Sequence, residues 1–276
     1  MYRFLVGLNK KVLIANSVAQ IADSAFTLSA EGHLHFFDAW LGIIAYSVQI
    51  YFDFSGYSDM AIGLAAMAGF RFEENFRRPY SSRSIRDFWR RWHISLSSWL
   101  RDYLYIPLGG SRGSEWATYR NQIIVFFLCG LWHGASVTFV IWGLWHGAFL
   151  VLERMKIGRW LDGLPSPLAR SYALFAVMIG WVFFRAETMS AAADYLLVMF
   201  TPSLSPALLT HYVIGLAALA IGVLLCLVPD RLVEITSSKT PGDYSGSLYL
   251  FHALFSVVSV SMLLTSQRNP FIYFNF

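Results

Sequence analysis

Gly130-Leu-Trp-His-Gly-Ala135 recurs thirteen residues on as Gly143-Leu-Trp-His-Gly-Ala148, the same hexapeptide twice within one apolar run. Two histidines, His133 and His146, therefore lie in sequence that reads as membrane, where an ionisable group is costly and points to function. The plainer alternative is a histidine that packs helices together through a hydrogen bond to backbone. As one straight helix, residues 121–152 would run about 48 Å, beyond a hydrocarbon core of about 30 Å. Basic residues flank both ends, Arg120 before and Arg154, Lys156 and Arg159 after. A bent, re-entrant pair of helices is at least as good a reading, with Gly134-Ala-Ser136 as the bend and His133 carried deep into the membrane. A continuous helix would instead set the two histidines about 20 Å apart and roughly 220° around the axis. On either reading they do not form one dyad.

The rest of the chain agrees with a membrane setting. Of 276 residues, 56% are apolar, 17% aromatic and 14% charged, with a mean hydropathy of +0.50. This composition predicts an all-α, multi-pass transmembrane bundle forming a single membrane domain over 1–276. Spans are expected at 168–185, 207–229 and 248–265, with loops near Pro165-Ser-Pro167, Thr201-Pro-Ser and Thr240-Pro-Gly, Pro229 closing one span, and the tail Pro270–Phe276 as an interfacial anchor. Residues 4–22 read as an amphipathic helix interrupted by Lys10 and Lys11 and partly inserted. No cleavable signal peptide is evident. Cys129 and Cys226 lie far apart in apolar runs, without metal spacing or a disulfide framework.

Between Arg71 and Arg120 lie ten arginines of the chain's 21 basic residues. The positive-inside rule assigns this segment, 71–120, to the cytoplasmic side. Ser84-Ile-Arg-Asp87 is a helix start, and Phe88, Trp89, Trp92, Leu96, Trp99, Leu100, Tyr103 and Leu104 fall near helical spacing. The expectation is an amphipathic interfacial helix closed by Pro107-Leu-Gly-Gly110. Most of these arginines would meet lipid headgroups; the sharper reading lets some meet the phosphates of a nucleotide-bearing acyl donor. His93 stands out, placed between Arg91 and an apolar run.

Residues 36–70 are apolar for longer than one upright helix needs, with Asp53-Phe-Ser-Gly-Tyr-Ser-Asp59 in the middle and Gly56 as the expected kink. A carboxylate there must be paired, protonated or facing water. Asp53 and Tyr57, four apart, would share a helix face. Either these carboxylates bridge to an arginine of the next segment or they line a polar tunnel. Arg185, Glu187, His211 and His252 are read as packing or snorkelling groups without polar company.

A histidine buried from water is held neutral and can act as a general base, taking a proton from a hydroxyl while that oxygen attacks an activated acyl group. A dry cavity protects a thioester from hydrolysis. There is no Gly-x-Ser-x-Gly elbow, phosphate loop or His-Glu-x-x-His motif, and the His33 and His35 pair lacks further ligands. Cys129, four residues before His133, leaves a Cys–His nucleophile pair open. Other classes remain open too: a transmembrane haem-binding electron carrier, for which His93, His211 and His252 supply no matching pair, and a non-enzymatic transporter lined by Asp and His.

Asp87-Phe-Trp-Arg-Arg-Trp-His93-Ile-Ser-Leu-Ser, then Arg101-Asp-Tyr-Leu-Tyr-Ile-Pro-Leu-Gly-Gly110, then Gly130-Leu-Trp-His133-Gly resembles the membrane-bound O-acyltransferase family. The likeness is greatest to its bacterial branch concerned with alginate O-acetylation and D-alanyl transfer to teichoic acids. Asp53-Phe-Ser-Gly-Tyr-Ser-Asp59-Met and the ending Pro270–Phe276 are also similar. The resemblance implies the family fold, with 71–120 as its interfacial or re-entrant basic segment and 121–152 as its catalytic core. It implies His133 as the catalytic histidine and His93 as the second polar residue of the reaction tunnel. Asp53, Tyr57, Asp59, Trp92, Arg101, Asp102, Trp132 and Ser136 are the candidates to line that tunnel and hold substrate. It further implies an O-acetyltransferase of the bacterial inner membrane, with acetyl-CoA or another acyl thioester as cytoplasmic co-substrate and no bound cofactor or metal. The expected partners are membrane lipids, an exported polysaccharide acceptor and a periplasmic or membrane-anchored acetyl-transfer protein, with no nucleic acid. Against the family pattern the chain begins partway through, near Gly7-Leu-Asn-Lys-Lys11, so an incomplete tunnel wall is expected.

Overall fold

The computed structural model describes residues 1–203, 211–227 and 246–265. Among these every regular element is helical. The expected Thr240-Pro-Gly loop, the closure at Pro229 and the aromatic anchor at Pro270–Phe276 lie outside the described residues. Two helices, Ser166–Arg185 and Gly246–Thr265, are long and apolar enough to cross a membrane; Val213–Leu227 is apolar but shorter. They fall on the expected spans at 168–185 and 248–265 and on part of that at 207–229.

The chain groups into two compact units, the first holding Met1–Ala25, Trp40–Glu74 and the described residues after 210, the second Phe26–Ala39 and residues 75–203. In the first, α1 (Tyr2–Asn9) passes through a π-helical stretch (Lys10–Ala15) into α2 (Asn16–Ala30). The lysines that interrupt the apolar pattern therefore sit in a wider turn of one helical run, and they do not end it. Helix α3 (Phe36–Met67) runs uninterrupted, so Gly56 neither kinks nor breaks it. Gly56 instead admits another backbone: a Cβ there would meet Gly7 O at 2.8 Å and Lys11 N at 3.2 Å, and a Cβ on Gly7 would strike Gly56 O in return.

That close crossing brings opposite charges together. Lys11 pairs with Asp53, both side chains about 5% exposed. Asp59 takes Lys10 at 2.7 Å and Arg3 at 2.6 Å, and Arg3 reaches Glu74 at 2.6 Å. The carboxylates thus bridge to cations of the N-terminal segment, where an arginine of the following segment was expected. Asp53 and Tyr57 lie four apart on the uninterrupted α3 but differ in burial: Asp53 is buried while Tyr57 is 47% exposed. A second polar lock joins α1 to α12 (Gly246–Thr265): Ser256 and Ser259 donate to Asn9 Oδ1 at 3.1 and 2.9 Å, and Asn9 Nδ2 donates to the His252 carbonyl at 3.1 Å. His252 therefore has polar company that its sequence neighbours do not suggest. Helix α11 (Val213–Leu227) packs through Gly222, where a Cβ would press on Val48 and Ile14.

The second unit is built on α6 (Glu115–His133) and α7 (Val137–Leu152). The long apolar run does bend at Gly134-Ala-Ser136. Ser136 caps α7, its Oγ accepting from Thr138 N at 3.3 Å, as Ser114 caps α6 through Ala117 N at 3.2 Å. The two helices return antiparallel against each other through the repeated glycines. A Cβ on Gly130 would strike the Phe139 carbonyl, one on Gly143 the Phe126 carbonyl, and one on Gly147 would sit 3.1 Å from the Phe126 side chain. Small residues at such a crossing let the two backbones approach closely. A π turn (Glu153–Ile157) and short α8 (Gly158–Asp162) lead to α9 (Ser166–Arg185) and to α10 (Met189–Phe200), which Thr188 caps. Tyr195 of α10 stacks on Phe26 at 4.4 Å and donates to the Ala39 carbonyl at 2.8 Å; Arg185 lies over the Phe26 ring.

The basic segment differs from expectation. One amphipathic helix was predicted from Ser84 to Leu104; two short ones form, α4 (Ile85–Arg91) and α5 (Ile94–Leu100), the latter continued by a π turn to Tyr105. His93 separates them in the left-handed region, φ 43° and ψ 56°. The chain then turns through Pro107–Gly110 as the sequence suggests.

Two stability outcomes follow. Gly143→Ala should lower the melting temperature of the detergent-purified protein by an amount equivalent to about 1–3 kcal/mol, the usual cost of overpacking. Gly246→Ala, whose Cβ meets nothing within 4 Å, should not. Lys11→Met or Asp53→Leu alone should cost about 3–5 kcal/mol by leaving one buried charge unpaired, and the double variant should recover most of it. A double-mutant cycle of thermal unfolding measures both, and additive losses would contradict the pairing.

Candidate active site

Helix α4 is held at both ends. At its start Ser84 Oγ accepts from Asp87 N at 3.0 Å, while the buried Glu153 carboxylate accepts from Ile85 N at 2.6 Å and Arg86 N at 3.0 Å. These are amide donors that a helix start leaves unsatisfied. Along its inner face Phe88 stacks on His146 with 9° between ring planes, Trp89 meets Phe126, Trp142 and His146 edge-on, and Trp92 packs against Trp181 and Phe76. Its outer face carries Arg86 and Arg90, and Arg83 lies just before its cap, all three exposed.

The chain then reverses at His93. A non-glycine residue in the left-handed region costs on the order of 1–3 kcal/mol, and such strain collects at functional sites. Here the strained residue is one of two histidines near a cavity. Burial pushes the His93 imidazole down to about 4, so it is neutral at physiological pH. Asn75 supports the far side of the bend, its carbonyl accepting from Ile94 N at 3.0 Å and its Oδ1 from Ser95 N at 3.1 Å.

The cavity beside His93 has a volume of about 570 Å³. His93 and Ser95 are its polar edge. Leu96, Leu100, Leu104 and Leu128 give it apolar walls, with Trp99, Tyr103, Cys129 and Trp132 completing them. His133 is not among the lining residues. It sits at the C-terminus of α6, half-buried, in a box of Trp142 at 4.9 Å, Phe184 at 5.1 Å and Phe139 at 6.3 Å between ring centroids. Trp132 links the two histidines, its ring 6.5 Å from His93 and 4.8 Å from His133. The hollow is apolar except at His93 and Ser95, a shape that suits an uncharged acyl chain, and Trp132 of its wall stands between it and the His133 ring.

The other candidates divide. Trp132 lies on the cavity wall, whereas Trp92 is 3% exposed within the aromatic core. Ser136 is engaged as the cap of α7 and contacts Thr138 Oγ1 at 2.9 Å. Arg101 and Asp102 pair with each other at 2.7 Å on the surface, and the guanidinium's hydrogen bond holds the Asp102 carboxyl below its usual range. Asp53, Tyr57 and Asp59 belong to the first unit, with the two carboxylates committed to lysine and arginine. His146 is fully buried among the rings of Phe88, Trp89 and Trp142, and among the described residues neither of its ring nitrogens has a hydrogen-bond partner. No hydrogen bond joins Cys129 to His133 among the described residues, and Cys129 is a buried residue of the cavity wall. Among the described residues no three His, Cys, Asp or Glu side chains cluster to hold a metal ion.

Two contributors had no mark in the sequence: Glu153, 68 residues from the amide that it caps, and Asn75, 20 residues from Ser95. Caps normally come from the residue just before a helix, so reading locally finds Ser84 and misses both.

Residues 1–187 match the model of the membrane-bound O-acyltransferase family. The chain is 53% identical over 204 residues to a probable alginate O-acetylase of Azotobacter vinelandii, covering 72% of this chain and 39% of that one. It is 44% identical to a probable alginate O-acetylase of Pseudomonas putida, covering 99% of this chain and 60% of that one. A peptidoglycan O-acetyltransferase of Helicobacter pylori is 45% identical, over 71% of this chain and 37% of its own length. The chain thus spans between about a third and three fifths of these relatives. The comparisons lend no support to the haem-carrier and transporter readings.

Proposed function

The chain belongs to the membrane-bound O-acyltransferase family, and from that premise we propose that it moves an acetyl group from a cytoplasmic thioester to a hydroxyl of an exported polysaccharide. The observation that carries this reading is the pairing of His133 and His93 across Trp132 beside an apolar cavity, within the residues that match the family.

In this reading His133 is the general base. It takes the proton of the acceptor hydroxyl as that oxygen attacks the thioester carbonyl carbon; the C–S bond breaks, and the thiolate leaves and is protonated. The aromatic box of Trp142, Phe184 and Phe139 holds the His133 ring in place. His93, strained and neutral, is the second polar group and meets the donor on the cavity side. The acyl thioester enters from the face that carries Arg83, Arg86 and Arg90, where the positive-inside rule places the cytoplasm and where a phosphate-bearing donor would find opposite charge. The acceptor approaches from the outer side of the inner membrane, and a periplasmic or membrane-anchored protein completes transfer. Alginate and peptidoglycan, named for the relatives, are carbohydrate polymers with free hydroxyls, which fits an acceptor of that class.

Polysaccharide acetylation in cells supplied with each variant tests the assignment. His133→Ala should abolish it, a loss of about 10²–10⁴-fold for a removed general base. His93→Ala should impair it strongly, and His146→Ala more mildly and in step with protein abundance. Acetylation at the wild-type level by His133→Ala would overturn the site.

A further inference from the structure

The polar contacts around His93 determine which of its nitrogens carries the proton. Asn75 Oδ1 accepts from the Ser95 backbone N–H at 3.1 Å, and since an amide N–H only donates, the side-chain atom facing it must be the oxygen. The same Oδ1 lies 3.0 Å from Ser95 Oγ. An amide oxygen has no hydrogen to give, so the hydroxyl donates to it. Ser95 Oγ also lies 3.4 Å from His93 Nδ1. With its hydrogen given to Asn75, the hydroxyl offers Nδ1 an acceptor, which favours Nδ1 as the N–H. In a neutral imidazole the lone pair is then on Nε2.

We infer that Asn75 and Ser95 are positioning residues that fix His93 as the Nδ1–H tautomer, directing its basic Nε2 to the reaction. The role assigned to the ring rests on the acyl-transfer reading above; the tautomer does not. The arrangement follows the logic by which an orienting group holds a catalytic imidazole, here with a hydroxyl and an amide in series where a carboxylate often serves. It also explains why a strained backbone is kept at His93. The bend puts Ser95 within reach of both the ring and Asn75, and Asn75 anchors the two residues that follow through its main chain and side chain together. Ser95 is exposed at the cavity edge, so changing it removes little packing.

The test uses the full chain in lipid nanodiscs with ¹⁵N-labelled histidine, the His93 signals being identified by their loss in His93→Gln. Nitrogen shifts at neutral pH should show Nδ1 protonated in the wild type and in Ser95→Thr, which keeps the hydroxyl. Asn75→Asp, whose carboxylate oxygen still accepts from both Ser95 groups, should keep the same tautomer. Ser95→Ala should move the signals toward a mixture or toward Nε2–H. In acetyl transfer, Ser95→Ala and Asn75→Ala should lower kcat by about 10- to 100-fold with KM little changed, as removal of an orienting partner does, and Asn75→Asp should restore most of it. An Nε2–H signal in the wild type, or an unchanged tautomer in Ser95→Ala, overturns the inference. If the tautomer behaves as stated while wild type transfers no acyl group, the acyl-transfer reading fails and the positioning stands.

Discussion

The second unit depends on one close approach of backbones. Gly130 and Gly143 sit where α6 and α7 cross, and neither can carry a Cβ without striking a carbonyl of the other helix. Because the pair is this close, the apolar run that follows Arg120 folds back on itself at Gly134. His133 is thereby left at a helix end, the last residue before the bend, with its ring between Trp142 and Phe184. The repeat that first suggests two matching histidines is therefore chiefly a repeat of two glycines. Its first histidine lies at the tip of the hairpin and its second in the packed middle, against Phe88 and Trp89.

On that hairpin α4 is fastened as a bracket. The Glu153 carboxylate, at the far end of α7, holds the first amides of α4, and the rings of Phe88, Trp89 and Trp92 hold its length. Since α4 leads through Trp92 into His93, the position of His93 is set chiefly by the contacts of α4 to α7 and α9, with Asn75 and Ser95 holding the bend. The reversal at His93 turns α5 along the cavity, giving it walls of leucine and tryptophan. A fixed α4 and a fixed α6 end thus hold two imidazoles on either side of Trp132.

The first unit meets the cost of charge in an apolar chain differently. Three cations of the N-terminal run, Arg3, Lys10 and Lys11, meet Asp53, Asp59 and Glu74. A buried carboxylate without such a partner would be protonated or would destabilise the fold. The charges that look functional when Asp53 and Asp59 are read alone are accounted for by pairing across helices. Serine and asparagine do the same for α1 and α12 through Asn9.

Helix content, the long apolar helices near 168–185 and 248–265, the start at Ser84, the turn at Pro107–Gly110 and the bend at Gly134-Ala-Ser136 were all legible in sequence, because hydropathy, caps and turn residues act within a few positions. So was family membership, from the long motifs around His93 and His133. Two readings went astray for one reason. Gly56 was expected to kink or break α3, and α4 and α5 were expected to be one helix. In both cases a partner far along the chain decides: the backbone of Gly7 and the cap from Asn75. The sequence by itself determined which segments are helical, where charge is out of place and which histidines are worth asking about. Only the tertiary structure decided which of those charges are neutralised, which histidine is packed and which borders a cavity, because hydrogen bonds and ion pairs act over about 3 Å and fall to whichever residue the fold brings there.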